Sequence, residues 1–450
     1  MSVVIADIRP SSRQQADACT LAAVYVAVLA VIPANLVVNG LPLSISPASL
    51  VGLGMAMCWV CAHMTRTFGL AKGSNPVRTA LYLLAASVLA SYCSAMYHYT
   101  PGDEIRSADQ SLVLLLILVG STLLVSDGIR EIGRLDALLQ IVVIGCAFVA
   151  IVGTLQFMTG LDLTTYLKLP GLRSTVDYGY IAERGGFRRP AGTTGTPIEF
   201  GVLCAMILPI AIHLGFRSQI ARRGQLLWWA CTFVISAGAI YSVSRSAVLG
   251  LATVFATLFA GWPARRRVWA GVTGLCFLAV IRLTSNDLLG TILGLFNNFS
   301  TDSSVAYRTH DYPIAAELIA RSPWLGAGWG THYAPKHIVF DNQYLLVLVE
   351  GGVIGLAAIV VLFATAFGAA LRTRYRATRL DVRDRALALI ASLTVPAVGS
   401  ITFDLLSFKT VTGLMFIVIG AIGCLYRLSV PPASGTLDPS VIPLSLRQPR

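Results

Sequence analysis

Residues 342–371 read NQYLLVLVEGGVIGLAAIVVLFATAFGAAL, a run in which Glu350 is the only Asp, Glu, Lys or Arg. A helix needs about 20 mainly apolar residues to cross the hydrocarbon core of a bilayer. Hydrophobic residues make up 55% of the chain and charged residues 12%, whereas soluble chains carry about 25% charged residues. The composition excludes soluble globular and disordered proteins, and predicts an all-α, polytopic membrane protein.

Eleven more apolar blocks bring the predicted transmembrane helices to about 12. The predicted spans lie near 19–38, 45–64, 78–98, 110–127, 136–157, 197–216, 225–242, 246–262, 267–283, 342–371, 386–404 and 409–427. They divide the chain into a cytoplasmic N-terminus (1–18), five helices (19–157), a loop (158–196), four helices (197–283), a larger loop (284–341), three helices (342–427) and a cytoplasmic tail (428–450) that is predicted to be disordered. Both long loops contain Trp or Tyr, Pro and Gly, so we expect them to fold over the membrane surface.

The positions of Lys and Arg predict the orientation, because cytoplasmic loops retain these residues. Alternate connections hold seventeen of them, whereas the short connections between those hold only Arg106, Arg245 and Lys409. Both termini are therefore predicted to lie in the cytoplasm and both long loops outside it. The net charge of +12 is explained by this topology, and a nucleic-acid partner is not expected.

The first long loop ends in cations followed by a polar stretch. Arg188 and Arg189 precede Pro190-Ala-Gly-Thr-Thr-Gly-Thr-Pro197, and Glu199 opens the next predicted span. Exposed backbone N–H groups and hydroxyls beside cations are suited to hold a phosphate or a sugar. The alternative is a polar loop whose arginines extend toward lipid headgroups.

Arg245 lies in a short outer turn, Ser242-Val-Ser-Arg-Ser246, where the topology disfavours positive charge. A cation at the mouth of the bundle suits a fixed anionic partner such as a lipid diphosphate, and an interfacial anchor is the alternative.

The second long loop holds most of the other candidate residues. They are Arg308, His332 and His337, followed by the run Asp341-Asn342-Gln-Tyr344 at the start of a predicted span. The positive end of a helix dipole favours an ionised carboxylate at Asp341, although the residue would equally serve as a helix N-cap. Asp302, Asp311 and Asp341 follow no metal-binding spacing, so no metal site is predicted.

Several of these pieces together form a recognisable pattern. Five motifs occur between about 185 and 360. They are Arg189 with Gly-Thr-x-Gly-x-Pro, Ser244-Arg245, Ser-Pro-Trp-Leu-Gly-Ala-Gly-Trp-Gly after Arg321, Asp-Asn-Gln-Tyr-Leu, and Glu-Gly-Gly-Val-Ile-Gly. This set resembles the O-antigen ligase and polysaccharide polymerase family of integral membrane glycosyltransferases. The resemblance implies a GT-C-like helical bundle and transfer of a glycan from undecaprenyl diphosphate to an acceptor hydroxyl, without a cofactor or metal, on the outer face of the cytoplasmic membrane.

The resemblance also assigns roles to residues. Arg308 and Arg245 match the family's essential arginines, and Arg188 or Arg189 matches the arginine of the first long loop. Where the family's ligases have a His that is thought to be the base, this chain has Asp341. Asp341 is thus the expected base, with His337, His332 or a residue elsewhere as alternatives. The residues expected to help bind substrate are Arg188, Arg189, His337, His332, Asn342 and Tyr344.

Three functions remain open. The Asp at position 341 favours a polymerase of cell-surface or exopolysaccharide repeat units over an O-antigen ligase acting on a lipid core or other acceptor. The expected partners are the lipid-linked glycan, its glycan or lipid acceptor, membrane lipids and, for a polymerase, a chain-length regulator and a flippase. A transporter or lipid flippase is the alternative of another class, although no internal repeat is visible.

Overall fold

A computed structural model describes residues 17–41, 43–65, 75–167, 169–175, 181–217, 222–284, 288–297, 303–334 and 336–429, except for the side chains of 222–223, 284, 289, 293, 295–297 and 303–310. The predicted disordered tail lies outside these residues from 430 onward. The described helices are α1 (Ala18–Val31), α2 (Pro47–Met64), α3 (Pro76–Met96), α4 (Gly102–Gly128), α5 (Ile132–Thr159), α6 (Pro197–Gly215), α7 (Arg222–Tyr241), α8 (Arg245–Gly261), α9 (Ala264–Thr284), α10 (Leu288–Asn297), α11 (Ser303–Arg321), α12 (Gln343–Arg376), α13 (Leu380–Gly399) and α14 (Lys409–Ser429).

Each of the twelve predicted spans overlaps a separate helix, α1–α9 or α12–α14. Among the described residues, eight helices have the length and apolar composition to cross a membrane: α2–α7, α12 and α14. The apolar helices α1 and α8 are shorter, and α9 and α13 begin with charged turns. The chain is an all-α polytopic membrane protein, as its composition predicts.

Several span boundaries differ from the prediction, and three of them have a clear physical reason or consequence. Helix α1 ends before Pro33, where a proline cannot continue the backbone hydrogen bonds of a helix. Helix α4 begins at Gly102 because the acidic Asp103 and Glu104 favour a helix N-terminus. Helix α13 ends at Gly399, so 400–408 forms a connection that was predicted to belong partly to a span.

The connections gather at two ends of the bundle. We call the end formed by the described residues of 32–46, 97–101, 160–196, 242–244, 322–342 and 400–408 the loop end, and the opposite end the arginine end. At the arginine end, Asp136 of α5 pairs with Arg217 at 2.6 Å and with Arg385 of α13 at 2.7 Å. Arg266 pairs there with Asp384 at 2.8 Å. At each end, the contacts join connections that the sequence predicts to lie on the same side of the membrane.

Two small β-structures lie at the loop end. Strand β1 (Leu36–Val38) pairs antiparallel with β2 (Leu172–Ser174), which joins the first connection to the first long loop. Strands β3 (Glu183–Arg184) and β4 (Phe187–Arg188) form a hairpin. Its two-residue turn, Gly185-Gly186, has φ of 55° and 77°, the conformation that a tight hairpin turn requires and that glycine adopts readily.

Helix α12 is broken where the loop 322–331 docks into it. Gly352 has φ of 61°, and a Cβ atom there would lie 2.4 Å from the carbonyl carbon of Trp324. Backbone hydrogen bonds cross the break from Ala327 N to Val349 O, at 2.9 Å, and from Val353 N to Pro323 O, at 2.9 Å. The glycines of Ser-Pro-Trp-Leu-Gly-Ala-Gly and Glu-Gly-Gly therefore permit the close approach of two backbones.

Candidate active site

Arg189 is placed at the loop end by the β3–β4 hairpin. Its backbone N–H donates to the carbonyl of Ala182 at 2.7 Å, and its Nε donates to the carbonyl of Ser242 at 3.5 Å. Burial lowers the pKa of the Arg189 guanidinium to about 10, and the positive charge of Arg184 adds to that effect. A half-buried cation beside a second cation is a suitable place for an anion.

Arg188 has a different position from its neighbour. Its side chain is exposed and lies over Gly160, with Nη1 3.5 Å from the carbonyl of Phe157 and 3.4 Å from that of Met158. Arg188 thus interacts with the last turn of α5, as cations do at helix C-termini. Of the two arginines that the sequence offers, Arg189 is the one that reaches the turn before α8.

That turn, 242–244, is strained and presents Arg245. Val243 has φ of 45°, which is unusual for a β-branched residue, and its side chain is fully buried. Strain of this kind persists where the surrounding packing enforces it, and it occurs often at functional sites. Half-buried Arg245 is the first residue of α8 and follows directly on the segment that Arg189 contacts.

The connection 400–408 joins this turn to the start of α12. The hydroxyls of Ser246 and Thr402 lie 3.2 Å apart. Buried Gln343 donates its backbone N–H to Ser400 O at 2.8 Å, and its Oε1 accepts from Leu406 N at 2.7 Å. The geometry thus links Arg189, the Arg245 turn and the α12 N-terminus into one cluster, which we call the arginine cluster.

Asp341 stands at this junction but does not cap the helix. The N-cap is Asn342, whose Oδ1 accepts from Tyr344 N at 3.0 Å and Leu345 N at 3.2 Å. The interpretation of Asp341 as a mere N-cap is therefore wrong, because the amide of Asn342 already fills that role. Tyr344 donates its hydroxyl to Ala397 O at 2.6 Å. Asn342 and Tyr344 have structural contacts here, and their substrate role stays a prediction.

Asp404 is a carboxylate that the sequence reasoning missed. It lies in the connection 400–408, half-buried, next to Asp341. Burial raises the pKa of Asp404, and the negative charge of Asp341 adds to the increase. The predicted span ends at Asp404, so the sequence does not indicate that the charge of Asp341 acts on this residue.

The two predicted histidines pack in a stack with Phe340. The ring centroids of His332 and His337 are 4.7 Å apart, and those of His332 and Phe340 are 4.9 Å apart. His332 Nε2 lies 2.9 Å from Ile338 O, and His337 Nε2 lies 3.2 Å from a carboxylate oxygen of Glu104. Burial lowers the pKa of His332. These contacts hold the loop 332–340 in place, and a role of either ring as the base stays a prediction.

Arg308 lies in α11, in the part whose side chains are outside the described residues. Ala315 of the same helix packs with Phe340 and Val349, so α11 runs beside the first turns of α12. The backbone thus brings the helix that carries Arg308 to the site. Asp302, considered as a metal ligand, lies outside the described residues.

The Gly/Thr/Pro stretch differs from its prediction. Gly192 N donates to Gln156 Oε1 at 2.7 Å, and Gly195 N donates to Glu199 Oε2 at 2.8 Å. The expectation that these amides are free for a phosphate is wrong, because the protein's own side chains already use them.

Glu199, which opens α6 as predicted, has a partner that the sequence does not indicate. It is buried, and its other oxygen accepts from Thr410 N at 2.7 Å. A carboxylate at a helix start was visible in the sequence, but its partner in α14 was not. Glu199 ties the stretch before α6 to the N-terminus of α14.

A cavity of about 490 Å³ adjoins the α12 N-terminus, and its wall includes residues of α1, α4, α12 and α14. Phe340, Gln343 and Asp404 contribute to its wall, whereas Arg189 and Arg245 do not. Within the described ranges, no group of three or more His, Cys, Asp or Glu side chains is arranged to hold a metal ion.

Sequence comparison adds the family. Residues 230–360 match the family model described as O-antigen ligase, a region that runs from α7 to the first part of α12 and includes Arg245, Arg308 and Asp341. No curated protein matches the chain. The match covers the strained turn, the docked glycine loop and the α12 N-terminus described above. Over this region the chain is similar to the O-antigen ligase family.

Proposed function

We propose that the protein joins lipid-linked oligosaccharide repeat units into a cell-surface polysaccharide at the loop end. The observation that carries the proposal is the arginine cluster, where the segments bearing Arg189, Arg245 and Asp341 are bonded to one another beside α11. The proposed location is the cytoplasmic membrane, with both termini in the cytoplasm and the loop end on the outer face, because Lys and Arg concentrate at the opposite end.

In the proposed reaction, the arginines bind the diphosphate of a donor such as an undecaprenyl-diphosphate-linked glycan. A hydroxyl of the acceptor attacks C1 of the donor sugar, and its proton passes to Asp341. The C1–O bond to the diphosphate breaks, and the bonding electrons leave with the lipid diphosphate. Guanidinium groups offset the negative charge that grows on the leaving group, so they act mainly in the transition state.

The residues at the site suit this chemistry without a resident metal. Planar guanidiniums match phosphate oxygens in pairs, and fixed positive charge performs the electrostatic task that a divalent cation would otherwise perform. Metal independence is part of the proposal and predicts that a chelator leaves the transfer rate unchanged.

A glycan profile tests the proposal in cells. Cells that lack the gene are complemented with the wild type, Arg308→Ala, Arg245→Ala or Arg321→Ala. Arg321 is the matched control, because it is exposed on the same helix as Arg308 and pairs with Glu317 at 2.6 Å. We expect single lipid-linked repeat units to accumulate without the enzyme and long chains to return with the wild type and Arg321→Ala only.

Other profiles would contradict a polymerase. Long lipid-linked chains left unattached in the deletion strain would indicate a ligase. An unchanged profile would exclude both glycan reactions and favour a transporter or flippase.

A further inference from the structure

The cavity beside the arginine cluster changes in character along its length. At the loop end its wall contains serines from three connections or helix starts, such as Ser46, Ser107 and Ser407, together with Gln110 and His332. Deeper in the bundle the wall consists mainly of apolar side chains, including Leu115, Leu362 and Met415, although Tyr25 and Glu350 also contribute to it. A polar mouth above an apolar interior fits a molecule with a polar head and a hydrocarbon chain.

The depth of the cavity supports a chain of considerable length. Its wall follows α4 from Ser107 to Leu118, which corresponds to about 16 Å at about 1.5 Å per helical residue. That distance is roughly half of the about 30 Å hydrocarbon core. The wall of α12 extends from Gln343 to Phe363 on the opposite side.

The cavity has a cation of its own. Among the described residues in its wall, Lys409 is the only Lys or Arg, and its Nζ is 3.5 Å from the carbonyl of Ala34. Arg189 and Arg245, which belong to the arginine cluster, do not line this cavity. Gln343 at the α12 N-terminus thus lines the cavity that contains Lys409 and also bonds to the connection 400–408 of the arginine cluster.

We propose that this cavity binds the hydrocarbon chain of the acceptor, so that the acceptor is a second single-chain lipid-linked glycan with its phosphate near Lys409. This inference rests on the proposed function, in which the arginine cluster holds the donor. A polymerase joins two lipid-linked units and therefore needs two such places.

Photolabelling of the full-length protein in phospholipid nanodiscs tests the proposal. The probe is a polyprenyl diphosphate with a diazirine at the end of its hydrocarbon chain. We expect crosslinks to the cavity-facing parts of α4 and α12, removed by excess untagged polyprenyl diphosphate but not by phosphatidylglycerol. Labels confined to outward-facing residues such as Leu116, or equal competition by phosphatidylglycerol, would overturn it.

Adjacent leucines provide a matched pair of variants. Leu115 lines the cavity, whereas Leu116 is 52% exposed on the outer side of the same helix. Leu115→Trp is expected to lower labelling at least fivefold, and Leu116→Trp to leave it unchanged. Leu114→Phe adds less volume at the same wall of the cavity. It replaces Leu115→Trp if thermal melting shows that Leu115→Trp is unfolded. Undiminished labelling of a folded Leu115→Trp or Leu114→Phe variant, whose larger side chain occupies part of the cavity, would contradict the proposal.

Arg245→Ala separates this inference from the proposed function. The variant removes a donor contact, so it should abolish transfer and keep the cavity labelling. Normal transfer in Arg245→Ala with intact labelling would refute the proposed role of the arginine cluster and leave the cavity site standing. Loss of labelling in Arg245→Ala would mean that the probe reports the donor site, which would refute the cavity as a separate site.

Discussion

At the scale of single residues, Arg188 and Arg189 show how neighbours in the sequence differ in the fold. The hairpin turns Arg188 onto exposed carbonyls of α5 and Arg189 toward the carbonyl of Ser242. Arg188 is the last residue of β4 and Arg189 follows it, and their side chains contact different segments. The sequence identified both as candidates and could not choose between them.

The pair gives the first prediction. Arg189→Ala should lower the transfer rate by about 10²–10³-fold, the usual loss when one transition-state donor is removed. Arg188→Ala should change the rate by about twofold, as expected for a surface substitution worth about 0.5 kcal/mol. Initial rates of chain growth with purified variants provide the comparison. Equal losses in both variants would remove the distinction between the two arginines.

Asp404 gives a prediction about pH. Its pKa is raised, so it takes up a proton above the pH of about 3.9 at which an ordinary aspartate does. Once protonated, Asp404 is neutral like an asparagine. The rates of the wild type and Asp404→Asn should therefore differ at high pH, where Asp404 is ionised, and converge as the pH falls. If the kcat/KM of the wild type divided by that of Asp404→Asn stays constant with pH, the charge of Asp404 does not act on the reaction.

At the scale of elements, the broken helix α12 organises the loop end. The glycine loop 322–331 binds to the backbone around Gly352, and this contact fixes the segment that leads through His332 and Phe340 to Asp341. The glycine loop 322–331 and the Glu350-Gly-Gly352 motif thus form one junction between two backbone segments. A side chain at either half would push the two segments apart, because a Cβ atom at Gly326 would lie 2.3 Å from the carbonyl of Glu350.

Gly352→Ala tests the junction. The left-handed conformation costs a non-glycine residue about 1–3 kcal/mol, and the new Cβ would clash with the Trp324 backbone. We expect a lower Tm in detergent and reduced transfer. Gly368→Ala in the same helix is the control, since nothing lies within 4 Å of its Cβ position and alanine is favoured there by about 0.5–1 kcal/mol. A Tm for Gly352→Ala equal to that of Gly368→Ala would contradict the account of the break.

At the scale of the whole molecule, the two ends of the bundle have different tasks. The loop end carries the candidate chemistry, and the arginine end carries ion pairs that join α5, α6 and α13. Arg385 is completely buried and depends on Asp136 for its counter-charge, whereas the Arg266–Asp384 pair is about one-third exposed. Breaking a buried pair from one side leaves an uncompensated charge, which is far more costly than breaking a solvated pair.

Asp136→Asn should therefore destabilise the bundle by about 3–5 kcal/mol, and Asp384→Asn by about 1 kcal/mol or less. Thermal melting of both variants in the same detergent measures the difference. Similar melting temperatures would mean that solvent or lipid headgroups reach Arg385 and that the Asp136–Arg385 ion pair does not stabilise the bundle as a buried pair.

Much of this architecture follows from the sequence, because every apolar block long enough to span a bilayer overlaps a helix of its own. The site follows less completely. Asp404 was hidden at the end of an apolar run, and the α14 partner of Glu199 and the break at Gly352 depend on contacts between segments far apart in the chain. Hydrophobic length is a local property that a sequence displays directly, whereas these contacts arise only when the helices pack.

Transfer by the purified protein tests the central claim most directly. Liposomes containing the full-length protein are supplied with lipid-linked repeat units extracted from the deletion strain, with and without EDTA. We predict longer glycans with the wild type, one lipid diphosphate released for each new linkage and no effect of EDTA, and a loss of about 10²–10⁴-fold in Asp341→Asn. Chain growth at the wild-type rate in a folded Asp341→Asn variant, or no growth with the wild type, would contradict the account.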